Sequence, residues 1–283
     1  MCERMQPKKQ SEKISSLLEN VKHTFLIMSG KGGVGKSMIA TNLAVSLSHY
    51  GYKVGLLDID LNCPSVPGML GLADHKHKNI GATAIPLHYN NNLKIFSSQG
   101  LLEQPDQPVM LRDSAKKDVV QQFLADVHWG NLDYLIIDSP PGTGEEHLTI
   151  SQIVPDCKAL IVTTPQAIAL ADVRKSIQFC KKINLDVVGV VENMSGFVCP
   201  SCGTVHEIFK SGGGEKTALE SGIPFLGRLP IDPAIVSSGD LGDTSKSLSI
   251  NVQQAVQGIV KMIINQKLQG ENTAIIEANQ LIE

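Results

Sequence analysis

The chain has 283 residues, enough for one large α/β domain or two small ones and long enough to bury a full core. Hydrophobic residues make up 42% and charged residues 19%, which places it among globular rather than disordered chains. A formal net charge of −3 argues against a protein whose main partner is nucleic acid, a local basic face aside. No apolar run approaches the roughly 20 residues of a membrane span. The opening "MCERMQPKKQSEK" is polar and lacks the apolar core of a signal peptide. The expected compartment is therefore the cytoplasm, without membrane attachment. There the six cysteines, at 2, 63, 157, 180, 199 and 202, are reduced thiols rather than a disulfide framework.

In chain order, residues 1–22 read as a short amphipathic lead-in, with Ile14, Leu17, Leu18 and Val21 at helical spacing, packed on a domain edge. "TFLIMS" (24–29) reads as a buried strand, followed by a Gly-rich turn and an apolar helix from about Lys36 to His49. "KVGLLDID" (53–60) is the next strand. Residues 61–112 are loop-rich, with "NLKIFSS" as a short strand, and "DSAKKDVVQQFLADV" has helical spacing. "DYLIIDS" (133–139), "KALIVTT" (158–164) and "DVVGVVEN" (186–193) are apolar, β-branched runs separated by helices, as parallel strands buried on both faces require. "GGGEK" (212–216) is a turn into a helix, "FLGRLP" (225–230) one more strand, and 250–267 a closing helix with Val252, Val256, Ile259 and Ile263 on one face. This alternation predicts a doubly wound, mostly parallel α/β sheet flanked by helices. Ligands then collect at the carboxyl ends of the strands, where every polar motif of the chain falls.

"GKGGVGKS" (Gly30–Ser37) matches G-x-x-x-x-G-K-[ST] between a strand and a helix, the context that confirms a phosphate-binding loop. Backbone amides of Gly30, Lys31, Gly32, Gly33, Val34 and Gly35, with Met38 in the first helical turn, would surround the nucleotide. Lys36 would reach the β- and γ-phosphates of ATP, and the Ser37 hydroxyl would ligate Mg²⁺. Lys31 is a second lysine that a generic loop does not need. It is either a solvated surface charge or a group that neutralises transition-state charge, on the nucleotide of a facing subunit if it works as an arginine finger does. Asp138 ends an apolar strand and would hold Mg²⁺. In "PPGTG" after it, the Gly142 amide can swing toward the γ-phosphate. Of Asp58 and Asp60, which close "LLDID", Asp60 lies further into the loop and is the candidate to position the attacking water; Asp58 supports the switch or the metal shell.

Cys199 and Cys202, in "GFVCPSCGTVHEIF", stand on an exposed turn. Two thiolates are half of a zinc or iron–sulfur site. Cys157 and Cys180 read as small buried hydrophobes, and no second C-x-x-C exists. Two-fold symmetry supplies the other pair, or the cysteines form a zinc half-site with His206, or the turn is purely structural with free thiols, which an oxidant-exposed cell disfavours.

Together, "KGGVGKS" with Lys31, "DIDLNCPSVPGMLG", "DSPPGTGEEHLT", "VTTPQAIALADVRKS", "VENMSGFVCPSCG" and "GIPFLGRLPIDP" resemble the dimeric MinD/ParA/nitrogenase-iron-protein ATPases. Within that class they are similar to the Mrp/ApbC-type iron–sulfur cluster carriers over about residues 22–265. The resemblance implies a P-loop ATPase domain at 23–268, with a lead-in at 1–22 and a tail at 269–283. It implies a homodimer with facing ATP sites that passes its cluster to apo iron–sulfur proteins, with no nucleic acid and no membrane as partner. It also implies that Lys31 contacts nucleotide across the dimer, that Asp60 is tied to hydrolysis and that Asn193 reads the adenine edge. Cys199 and Cys202 are then expected to hold a bridging [4Fe–4S] cluster. The chain departs from the pattern at Cys63, where many relatives have Gly and which should stiffen the switch loop, and at Ser201 and Glu145; an N-terminal four-cysteine motif is absent. The rival class is a spatial organiser of the MinD or ParA kind with a structural zinc half-site. It would call for a basic membrane helix or a basic DNA-binding surface, whereas "LQGENTAIIEANQLIE" is acidic.

Overall fold

The structure is a computed structural model and describes residue 14 and residues 18–80, 83–101, 113–244 and 248–280; side-chain placement is described to residue 265. Leu17, expected on the lead-in helix, lies outside the described residues. Ile14 and Leu18 are buried as the periodicity requires. Val21 instead opens the first strand, because its backbone pairs with Leu132.

Among the described residues twelve strands appear in order: β1 (Val21–Ser29), β2 (Val54–Asp58), β3 (Lys78–Ile80), β4 (Thr83–Ile85), β5 (Leu87–His88), β6 (Leu93–Ser97), β7 (Leu132–Asp138), β8 (Cys157–Thr163), β9 (Asp186–Glu192), β10 (Phe197–Val198), β11 (Val205–His206) and β12 (Phe225–Arg228). The α-helices among the described elements are α1 (Lys36–His49), α2 (Val66–Met69), α3 (Asp113–Asp126), α4 (Glu145–Ile153), α5 (Ala167–Lys182), α6 (Gly213–Ser221), α7 (Pro233–Asp240) and α8 (Ile250–Gln280). The closing helix thus runs past the expected end near 267 and through most of the segment read as a tail.

Eight strands form one sheet in the order β12-β9-β8-β1-β7-β2-β6-β5, parallel except at the β5–β6 edge. Alternation along each strand explains the two covered faces. Phe25, Ile27, Leu56, Ile95, Ile136 and Leu160 pack with α1 and α8, while Leu26, Met28, Leu57, Phe96, Leu135 and Ile137 pack under α3, α4 and α5. Each such fully buried Leu, Ile or Phe contributes about 1.5–3 kcal/mol. Helix α1 lies beneath α8, so residues on nearly every side of it are buried and no narrow apolar stripe is needed. The central strand β1 has β7 and β8 as neighbours, and the chain crosses from one side of it to the other between them. That reversal opens a crevice at the carboxyl end of β1.

Candidate nucleotide site and cysteine hairpin

Strand register aligns the acidic groups. Asp138, the last residue of β7, pairs with Ile27 of β1 and with Asp58, the last residue of β2, and Asp58 in turn pairs with Ser97 of β6. Parallel strands that end together therefore set Ser97, Asp58 and Asp138 in one row facing the loop after β1.

That loop is held by close contacts. A Cβ on Gly30 would lie 2.6 Å from Asp172 in α5. Gly35 has φ +84°, a left-handed conformation costly for other residues, and a Cβ there would lie 2.2 Å from Asn193 Nδ2. Asn193 is buried, and its amide donates to the Val34 carbonyl at 2.9 Å. Resemblance had given this side chain the adenine edge. Here it braces the loop, because the chain after β9 brings its amide within hydrogen-bond distance of the Val34 carbonyl.

Lys36 Nζ lies 2.6 Å from Asp138 Oδ1 and 3.3 Å from Ser37 Oγ, with side-chain exposures of 7% for Lys36 and 0% for Asp138. Asp58 accepts from the Asp60 N–H at 3.1 Å and from Ser97 Oγ at 3.1 Å. Burial, and then the neighbouring Asp138 charge, push the Asp58 carboxyl up to about 8. Burial also raises Asp138, against the pull of Lys36. Two buried carboxyls thus share one ammonium. Asp138 Oδ2 is buried without a hydrogen-bond partner among the described residues. An orphaned carboxylate oxygen of Asp138 beside the Ser37 hydroxyl suits a hard divalent cation such as Mg²⁺.

Asp60 is 9% exposed and accepts from the Cys63 N–H at 3.3 Å, so Cys63 enters the switch loop through its backbone while its thiol is exposed. Lys31 is half-buried, and no ion pair engages its amine among the described residues. The Gly142 N–H, expected to face the γ-phosphate, donates to the Ser29 carbonyl at 2.8 Å. Gly32 and Gly33 are exposed, and Met38 is buried against the apolar core.

Two buried polar residues escaped the sequence reading. Glu192, at the end of β9, accepts from Ser195 Oγ and from the Gly212 and Gly214 amides at the start of α6, so the carboxylate sits at a helix N-terminus. Its only sequence signal is an acid closing an apolar strand. His147, on α4, contacts Ser139 and Gly144. A lone histidine at the start of a short helix gives no periodic signal that separates it from core.

Cys199 and Cys202 sit on the turn of the β10–β11 hairpin. The turn is closed by Gly203 N–H to Cys199 O and by Cys199 N–H to Thr204 O, each 2.9 Å. Cys199 is half-buried and Cys202 exposed. Hydrogen bonds with Thr204, and then Cys199, lower the Cys202 thiol from its ordinary value. Burial pushes Cys157 and Cys180 up to about 12 each, as inert core thiols. Among the described residues no three His, Cys, Asp or Glu side chains converge as a metal site, so His206 does not complete one with the cysteines.

The family model described as "ParA: NUBPL iron-transfer P-loop NTPase" matches residues 20–265. The chain is 48% identical over 241 residues to a "Cytosolic Fe-S cluster assembly factor NUBP2 homolog" of Monosiga brevicollis, covering 84% of this chain and 85% of that protein. It is 44% identical over 263 residues to an "Iron-sulfur cluster carrier protein" of Methanocaldococcus jannaschii, covering 93% and 90%. A nucleotide-binding protein from Archaeoglobus fulgidus, solved with ADP, superposes with a TM-score of 0.74 at 34% identity, covering 86% and 98%. MinD of Aquifex aeolicus superposes at 0.62 and 22% identity over 86% and 97%, a likeness of fold alone. A strand–loop–helix phosphate site, an acidic row at the strand ends and a C-x-x-C hairpin thus coincide with a match over most of the chain, and the protein belongs to the iron-transfer P-loop NTPases of the ParA family.

Proposed function

We propose that the protein is an ATP-hydrolysing iron–sulfur cluster carrier of the cytosol. It works as a homodimer, assembles a [4Fe–4S] cluster between its subunits and passes it to apo iron–sulfur proteins. The observation that carries this reading is the hairpin: two adjacent thiols, one exposed, on a turn where one chain offers no third ligand among the described residues. Two copies related by a two-fold axis bring four thiolates. A cluster held across an axis is open to solvent and released when the subunits part, which suits cargo. The names of the relatives from Monosiga brevicollis and Methanocaldococcus jannaschii support the same cargo.

At the nucleotide site, the amides of residues 30–35 cradle the phosphates, and Lys36 leaves Asp138 to pair with the β- and γ-phosphates. Ser37 and Asp138 hold Mg²⁺, with Asp58 behind them. When bound, Mg²⁺ neutralises charge on the phosphate oxygens. Asp60 positions the attacking water, and its ties to Asp58 and Cys63 fix the start of its loop. Lys31, whose amine forms no ion pair among the described residues, reaches the nucleotide of the facing subunit and offsets transition-state charge there. Asn193 holds Val34 and so the curvature of the loop around the nucleotide.

Anaerobic reconstitution, followed by iron and sulfide counts per dimer and a visible spectrum, tests the cargo. Wild type is expected to hold about four irons per dimer. Cys199→Ala and Cys202→Ala each lose stable cluster and keep the fold. A monomer with a full four-iron spectrum, or a double variant that loads normally, refutes the shared site.

A further inference from the structure

The protons around His147 are fixed by its neighbours. The acceptors beside the Ser139 hydroxyl are the carbonyls of Ile27 at 2.7 Å and Pro140 at 3.4 Å. The same hydroxyl lies 2.8 Å from His147 Nε2, a contact whose direction follows from the ring's tautomer. At the other nitrogen, the Gly144 N–H donates to Nδ1 at 3.1 Å. A neutral ring that accepts at Nδ1 carries its proton on Nε2, which donates to Ser139 Oγ while the Ser139 hydroxyl donates to the Ile27 carbonyl. Burial, and then the charge of Lys36, hold the imidazole down to about 4, so it stays in that form near neutral pH. Phe179 of α5 packs edge-on against the ring at 6.5 Å, and no part of His147 is exposed.

The two partners are the ends of one loop. Ser139 follows Asp138, and Gly144 caps α4, so the imidazole closes residues 139–144 into a ring. It does what a Glu does at the third position of a capped helix, but as a neutral group with a second bond to spend. Between the fixed ends, Pro141 and Thr143 are exposed, and the Gly142 amide is held by the Ser29 carbonyl.

We propose that His147 is the positioning residue of this loop: it pins both ends, so that the Gly142 amide alone exchanges the Ser29 carbonyl for the terminal phosphate of a nucleoside triphosphate. The proposal rests on the nucleotide-site reading above. With the ends fixed, one amide turns at little entropic cost. With them released, the amide spreads over many orientations, and the contact specific to a triphosphate weakens. A diphosphate does not reach this amide and is indifferent to the change.

The test uses the full chain with Mg²⁺ and compares affinities for ADP and for a non-hydrolysable ATP analogue. His147→Phe keeps a ring against Phe179 and removes both hydrogen bonds. It is expected to lower the analogue-to-ADP affinity ratio about tenfold, with ADP binding within about twofold of wild type. His147→Gln, whose amide offers one acceptor and one donor, recovers part of the ratio. An unchanged ratio in His147→Phe, or equal losses for both nucleotides, overturns the proposal. If His147→Phe does not fold, His147→Glu keeps the bond to Gly144, loses the one to Ser139 and is judged by the same ratio. A wild-type protein that binds the analogue but releases no phosphate from ATP overturns the hydrolysis reading, and the affinity ratio still decides the role of His147.

Discussion

Replacing Asp58 by Asn isolates the electrostatic cost of the acidic row. The folded protein holds the Asp58 proton up to about pH 8, whereas the group's ordinary value is 3.8. The folded state therefore binds this proton more tightly than the unfolded chain. The stability it contributes is present below about pH 4 and lost progressively as pH rises through 8. Each pH unit in that window is worth about 1.4 kcal/mol, so by pH 7 the nucleotide-free protein has lost on the order of 4 kcal/mol through this site. Asn carries no charge and escapes that loss. It gives up the acceptor for the Val66 N–H, a 3.4 Å bond worth about 1 kcal/mol, while Ser97 can rotate its hydroxyl to accept instead. Asp58→Asn is therefore expected to be more stable than wild type by about 3–4 kcal/mol at pH 7–8 and by less than about 1 kcal/mol at pH 5. Urea unfolding of both proteins at pH 5, 6, 7 and 8, free of nucleotide and divalent cation, measures the difference. Parallel pH profiles would refute the reasoning, since they would mean that Asp58 is ionised throughout in the folded state.

Lys36→Ala is expected to abolish hydrolysis and weaken ADP binding by at least tenfold, read by phosphate release and calorimetry; wild-type turnover would remove the phosphate-loop assignment. Asp60→Ala should leave nucleotide affinity within about threefold and slow single turnover by about a hundredfold or more, because a water-positioning group acts mainly in the transition state. A loss confined to affinity would make Asp60 a binding residue. Alkylation of the native, cluster-free protein at pH 7.5 should modify Cys202 first and leave Cys157 and Cys180 intact, since both are buried with thiols near 12. Labelling of Cys180 at the rate of Cys202, followed by mass spectrometry, would contradict that assignment.

Much was legible in the chain because it is local. The phosphate loop is contiguous, needs glycine where its backbone turns left-handed at Gly35, and opens a helix at Lys36, so a short string of residues carries it. Apolar β-branched runs marked β2, β7, β8 and β9 to within a residue or two, and β1 all but its first three residues, because a strand buried on both faces has little freedom in composition. The end of α8 was misjudged, since polar residues after 267 dilute the periodicity without breaking the helix. Pairings across the sheet were decided only by the tertiary structure. Strand order inserts β7 between β1 and β2, and that sets Asp58 beside Asp138 in the sheet interior, where burial above all raises both carboxyls. The Asn193 brace on Val34 spans 159 residues, and the imidazole of His147 joins two ends of a loop by its tautomer. No spacing rule encodes such contacts: a residue's type limits the bonds it can make, and the packing of distant elements chooses which bond is made.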